Sequence, residues 1–515
     1  MQIDRRTMMA IGGAALFAGA ADGRAARQRP DVLRPVVSTR TGRIMGRVVG
    51  DLHVFRGIPY ALPPVGKLRF RRPVPLPSSR RPVDAGAFGP AALQPAFPAM
   101  ETVGPMSDDC LTLNILAPAA QGPHPVLFIV HGGGNFLGAS SQSHYDGTAF
   151  AQDDIVVVSA NYRLGAFGFM ELGGIDPAFA GSGLNGLLDL ATALRWVREN
   201  IAAFGGNPHD IALIGQSAGA KNECALAAMP SANRLFRRML VQSGGGLTTF
   251  NDAQQARPVA EAVIAAAGLK AGDVRGLASL PAAELLAAQG RAMAALPLGF
   301  PFRPTVDGHI LPLGPVAAAR AGMTRHLDVV IGTARDESAG MLLPGRAEKP
   351  LEPRQLANLD FASMRSLEPG YERILPGLSP PDRRIRQLTA EEYWIPSLRF
   401  AEAHAGAGGR VWMYRFDWKA TDGPATGYAS HGGDMGFVFG GTNPWRRVPQ
   451  GAAAAAARAH DLWSNWARAG TLAVDGLPSW PTYDLETRAT MIFDRDMRVE
   501  SDPARAERLL WDGVL

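Results

Sequence analysis

Cysteine is almost missing from this chain. Its two thiols, Cys110 and Cys224, lie far apart and form no C-x-x-C pair, which removes the usual zinc and dithiol redox patterns. One disulfide between them is left open; two buried free thiols are the expectation. Lysine is scarce too, so the pI near 9.4 reflects an arginine-rich composition with a small excess of charge. The formal net charge is +5, and residues 1–26 hold three arginines against two aspartates, which leaves +4 on the rest. No basic run is interleaved with aromatics, so a nucleic-acid partner is not expected. No uninterrupted apolar stretch of about 20 residues offers a membrane anchor. No internal repeat appears, and no metal-ligand or cofactor motif either, so neither is expected.

What is present argues for a large core. A hydrophobic content of 46% against 19% charged residues belongs to a globular protein, not a disordered one. At 515 residues the chain has room for two domains or one heavily decorated domain. Its N-terminus reads differently from the remainder. Asp4-Arg-Arg-Thr-Met-Met9 leads into an apolar stretch from Met8 to Ala21, followed by small residues around Arg24-Ala-Ala26. Paired arginines, a short apolar region and A-x-A-like sites predict a twin-arginine signal peptide over 1–26, and hence an exported, periplasmic or secreted protein.

Residues 36–60 read as short strands with turns, an antiparallel start. Leu111 to Leu116 alternates in polarity and predicts an exposed edge strand. Continuous apolar runs at Pro125–Val130 and Ile155–Ala160 read as central parallel strands. A helical pattern over Gly186–Ile201 follows, then strands at Ile211–Ile214, Arg237–Gln242 and Asp328–Gly332. This alternation predicts a mostly parallel sheet covered by helices on both faces. Residues 252–300 and 350–410 are helical in character and are expected as insertions over one edge of a single domain spanning 27–515. Ala452 to Trp466 predicts another helix.

The strand at Ile211 runs into Gly215-Gln-Ser-Ala-Gly219, a G-x-S-x-G sequence between a strand and a helix. The turn it predicts is so tight that a β-carbon at Gly215 or Gly219 would collide with its neighbours. A serine hydroxyl is a weak nucleophile, so Ser217 needs a base, an orienting acid and an anion site. The apolar run ending at Val130 is followed by His131-Gly-Gly-Gly134, whose free N–H groups suit a developing oxyanion. Gly133 and Gly134, with the N–H of Ala218, are the candidate donors. Asp336 and Glu337 follow the strand at Asp328 and are both candidate acids. Of the histidines after them, His404 and His460 lie in helical stretches, whereas His431 opens the glycine-rich Ser430-His-Gly-Gly-Asp434 and is favoured as the base.

Several stretches carry a wider likeness: Phe55–Phe70, Asp108–Ile115, His131–Gly134, Asn161–Phe169, Phe204–Pro208, Gly215–Gly219, Gln242–Gly244, Val306–Gly308, Arg335–Glu337, His431–Asp434, Phe437–Gly440 and Trp480–Tyr483. In this order they resemble the type-B carboxylesterases, the family of cholinesterases and bacterial para-nitrobenzyl esterases. The resemblance implies an α/β-hydrolase fold (class α/β) and acyl transfer to water. It also implies Glu337 as the acid, with Asp336 a neighbour, in a Ser217–His431–Glu337 triad acting on a small-molecule ester. Members that only bind partners lose triad residues, and this chain keeps them. A specialised hydrolase of lactones, thioesters or carbamates remains open, as does the oligomeric state.

The chain departs from the family's pattern at named positions. Gln216 stands where glutamate usually precedes the nucleophile, which should weaken any preference for cationic substrates. Met100 stands where cholinesterases carry a choline-binding tryptophan, so acetylcholine is not the expected substrate. Phe250 falls at an acyl-pocket position and suggests an aromatic-lined acyl site. Leu190 replaces a glutamine after Asp189, and no upstream cysteine exists to pair with Cys110. Neutral, moderately apolar esters are the expected substrates.

Overall fold

The structure, a computed structural model, describes residues 34–97, 101–297, 299–339, 359–423, 425–441 and 448–515. The expected signal peptide and Met100 lie outside the described residues. Arg34–Leu515 forms one compact unit.

Three short strands, β1 (Val36–Thr39), β2 (Gly42–Met45) and β5 (Val83–Asp84), make a small sheet. The large sheet takes β3 (Arg47–Val49), β4 (Leu52–Pro59), β6 (Thr112–Pro118), β7 (His124–Val130), β8 (Val156–Ala160) and β9 (Gly206–Gln216). It continues with β10 (Arg238–Gln242), β11 (Asp328–Ala334), β12 (Arg410–Phe416), β13 (Ala489–Phe493) and β14 (Arg498–Ser501). Their order is β14-β13-β12-β11-β10-β9-β7-β8-β6-β4-β3. From β8 to β13 all neighbours run parallel, and antiparallel pairs close both ends.

The apolar runs are continuous because both faces of the sheet are covered. Phe128, Val130 and Leu213 enter one core, and Leu127, Ile129 and Ile214 enter the other. Burying each such side chain contributes about 1.5–3 kcal/mol. The Asn185–Asn200 helix packs its apolar stripe into the first core, and the Ala453–Ala469 helix packs into the second. Helices at Ala253–Ala266, Val274–Ser279 and Ala282–Ala295, and at Phe361–Ile374, Pro380–Thr389 and Ile395–Gly406, occupy the two segments of helical character.

One strand differs from its reading. The stretch beginning at Leu111 is no exposed edge: β6 lies between β4 and β8. Its polar residue Asn114 is buried, accepting from the Gly57 N–H and donating to Ser140 Oγ and Ser159 Oγ. Alternating polarity there marks an internal hydrogen-bond network, not water. Both cysteines are buried and free.

Candidate active site

In an open parallel sheet, ligands bind beyond the carboxyl ends of the strands, where the strand order reverses. Here the order reverses at β7, which has β8 on one side and β9 on the other. The glycine turn after β7, Ser217 after β9, Gln242 at the end of β10, Glu337 after β11 and the His431 loop after β12 all lie at that end.

Ser217 sits between β9 and the helix Ala218–Ala228 with φ 59° and ψ −124°, a conformation an L-residue adopts only under constraint. The constraint is visible. Its N–H donates to Gln242 O (2.9 Å), and its carbonyl accepts the Lys221 N–H (3.0 Å). A β-carbon on Gly219 would lie 2.1 Å from Val130 O, and one on Gly215 2.6 Å from the Gly219 carbonyl carbon. Those contacts are with backbone, so no larger residue fits without moving a strand.

His431 Nδ1 lies 2.5 Å from Glu337 Oε2. The other oxygen of Glu337, fully buried, accepts the Ala334 N–H at 2.7 Å, and the Glu337 carbonyl accepts the His431 N–H at 3.2 Å. A carboxylate facing Nδ1 fixes the proton on that nitrogen and leaves Nε2 as the basic one. Asp336 turns elsewhere: it pairs with Arg335 and accepts the Ala429 N–H. At its far side, His431 Nε2 lies 3.0 Å from Gln216 Nε2, so the imidazole reaches the residue preceding Ser217. The Tyr393 ring rests against it, with centroids 4.8 Å apart.

The other histidines are held away from this role. His131 stacks on Tyr162 at 4.4 Å, and burial pulls its pKa down to about 4. His404, on the Ile395–Gly406 helix, bonds Thr324 Oγ1 at 2.8 Å and is likewise pulled down to about 4 by burial. His460 lies between Val438 O (2.7 Å) and Asp153 Oδ2 (3.1 Å).

Gly133 and Gly134 have φ of 113° and 64°, which glycine alone adopts readily in such a turn. Among the described residues their N–H groups donate to no acceptor. A β-carbon on Gly132 would fall 2.6 Å from Gln216 O and 3.2 Å from Ser217 Cβ, so the glycine turn lies directly against the elbow. Ala218, the third candidate donor, is the first residue of the helix after Ser217.

Phe250 is half-buried, its ring edge packed on Gly246 in the turn that follows β10. Sequence reading missed Phe136 and Phe300, whose rings pair at 5.8 Å, each 2.9 Å from where a Gly134 β-carbon would stand. Phe136, two residues past the glycines, could have been found by that spacing; Phe300 carries no local signal. Lys221, Glu392 and Tyr393 were missed as well. Among the described residues no group of three or more His, Cys, Asp or Glu could hold a metal ion, and no helix is long and apolar enough to cross a membrane.

A strained serine at a strand–helix elbow, in a mostly parallel sheet and beside a carboxylate-held imidazole, defines a serine hydrolase of the α/β-hydrolase fold. A model of the carboxylesterase family matches residues 33–369 and 382–511. The para-nitrobenzyl esterase of Bacillus subtilis is 34% identical, with 92% of this chain and 97% of that protein covered. The liver carboxylesterase of Sus scrofa is 31% identical, with 88% of each covered. Among solved structures, the carboxylesterase of Geobacillus stearothermophilus superposes with a TM-score of 0.82 at 36% identity, covering 92% of this chain and 99% of that one. The chain belongs to the carboxylesterase family, and its reaction is the hydrolysis of carboxylic esters.

Proposed function

We propose that Ser217 attacks the ester carbonyl, that His431 Nε2 takes its proton and passes it to the leaving alcohol, and that Glu337 holds the imidazole. The acyl group transferred to Ser217 is then released by a water that His431 activates in the same way. The N–H groups of Gly133, Gly134 and Ala218 receive the oxyanion. One observation carries this reading: His431 is bonded through Nδ1 to Glu337 at 2.5 Å while its Nε2 reaches the elbow. Labelling with a fluorophosphonate tests it. The adduct is expected on Ser217 and lost in Ser217→Ala; an adduct elsewhere, or none, rejects the assignment.

The substrates we propose are neutral, moderately apolar esters. The uncharged Gln216 at the elbow supports neutrality, and the Phe136–Phe300 pair beside Gly134 supports apolar groups. Across p-nitrophenyl esters of increasing acyl length, kcat/KM should peak above acetate; a steady fall from acetate would reject it. Residues 1–26 are proposed to direct export by the twin-arginine route, on the strength of Arg5-Arg6 and the apolar stretch after them. A reporter fused to residues 1–30 should leave the cytoplasm.

A further inference from the structure

The elbow helix carries a charge the triad does not use. Lys221, one turn beyond Ser217, donates from Nζ to Glu392, and both side chains are nearly buried, at 11% and 9% exposure. Glu392 lies in a π-helical turn, Ala390–Trp394, inserted between the helices Pro380–Thr389 and Ile395–Gly406. Such turns interrupt the regular hydrogen bonding of a helix and are frequent at functional sites. The residue after Glu392 is Tyr393. Its ring centroid lies 5.1 Å from Lys221 Nζ and 4.8 Å from the centroid of the His431 ring.

The surrounding packing is backbone on backbone. A β-carbon on Gly245 would lie 2.2 Å from the Pro396 carbonyl, and one on Gly244 2.9 Å from Ser217 O. The elbow, the turn after β10 and the first turn of the Ile395–Gly406 helix, which continues directly from the π-turn, therefore meet with no slack between them. Burial, then the carboxylates of Glu392 and Glu337, push the Tyr393 phenol well above its usual range, so it meets His431 as a neutral ring. Burial lowers the pKa of Arg303 nearby, and the charges of Glu392 and Glu391 oppose that shift.

We propose that Lys221, Glu392 and Tyr393 form a clamp that positions the catalytic imidazole. The ion pair ties the π-turn to the nucleophile's own helix, and the turn holds the Tyr393 ring against His431. Tyr393 on its ring then adds to the hold that Glu337 has on the imidazole at Nδ1. A wider swing of His431 would cost rate without changing how the ester is bound. Lys221 and Glu392 touch no reacting atom; they act through Tyr393.

The clamp rests on the triad reading, and its test separates the two. Lys221→Met alone takes the cation out of a nearly buried ion pair, so Lys221→Met/Glu392→Gln, which removes both charges, is the cleaner variant. Rates on p-nitrophenyl butyrate are normalised to sites titrated with a fluorophosphonate, which discards misfolded protein. Lys221→Met, the double variant and Tyr393→Leu should each lose about tenfold or more in kcat, with KM within about twofold. Lys221→Arg should recover most of the rate that Lys221→Met loses. A double variant with the parent's kcat, or one whose loss lies in KM alone, overturns the clamp while leaving the triad standing. If the double variant does not fold, Tyr393→Leu decides by the same criterion. If the parent takes no label on Ser217, the triad reading fails and the clamp falls with it.

Discussion

An imidazole has two nitrogens, and in this site each already has a partner. Glu337 fixes the proton on Nδ1, so Nε2 is an acceptor, and the Gln216 amide donates to it at 3.0 Å. For Ser217 to hand its proton to Nε2, that amide has to turn aside. Gln216 therefore competes with the nucleophile for its base, a role that sequence alone could not give it. Placing a carboxylate there reverses the interaction. In Gln216→Glu the side chain accepts from a protonated Nε2 and stabilises the imidazolium. Because only the neutral imidazole acts as base, the acidic limb of kcat/KM against pH should move upward by about one unit, with roughly tenfold less activity on its acid side. The profile on a neutral p-nitrophenyl ester measures this. Coincident profiles would make the substitution neutral. The same variant should gain relative activity on esters with a cationic alcohol.

The candidate site was legible because it is carried by local motifs. G-x-S-x-G, the three glycines after His131 and the glycine-flanked His431 each announce backbone geometry that few other residues permit. The choice between Asp336 and Glu337 was not legible from spacing, since both follow the same strand; Arg335 and the Ala429 N–H occupy one and leave the other to the imidazole. The aromatic pair Phe136–Phe300 and the Lys221–Glu392 pair join residues more than 150 positions apart, and no local pattern encodes such contacts.

At the scale of an element, the helix Ala218–Ala228 holds a second anomaly. Glu223 is completely buried, and neither carboxyl oxygen has a hydrogen-bond partner among the described residues. Burial pushes its pKa well above the ordinary value of 4.5, so the folded protein keeps it protonated where the unfolded chain releases the proton. The sign of the linkage follows. Below about pH 4.5 both states carry the proton and nothing is lost. Above that pH the native state binds more protons than the unfolded one, and stability falls by up to about 1.4 kcal/mol per pH unit until the folded pKa is reached. Glu223→Gln keeps the shape of the protonated side chain without the titration. Its melting temperature should exceed the parent's at pH 7–8, and the gap should shrink toward pH 4.5. A gap that does not change with pH would mean that the carboxyl finds a partner on ionising.

At the scale of the whole molecule, the sheet explains which parts of the reading succeeded. Central parallel strands such as β7 and β8 are apolar throughout because both cores need them, and such runs stand out in sequence. The outer strands are read less well. β6 is recognised as a strand but placed at an edge because it carries buried polar residues, and β12 to β14, only four to seven residues long, received no reading. Every strand of both sheets, both cores and all the candidate site residues inside the described regions fall within Arg34–Leu515, the compact unit. A chain beginning at Arg34 should therefore fold by itself. Its kcat/KM on p-nitrophenyl butyrate should lie within about twofold of the full chain's, and its melting temperature within the few degrees that about 1 kcal/mol represents at this size. Parallel activity and calorimetry on the two forms measure this. A truncated chain that melts much earlier, or titrates with few active sites, would show that the first 33 residues contribute to the folded enzyme.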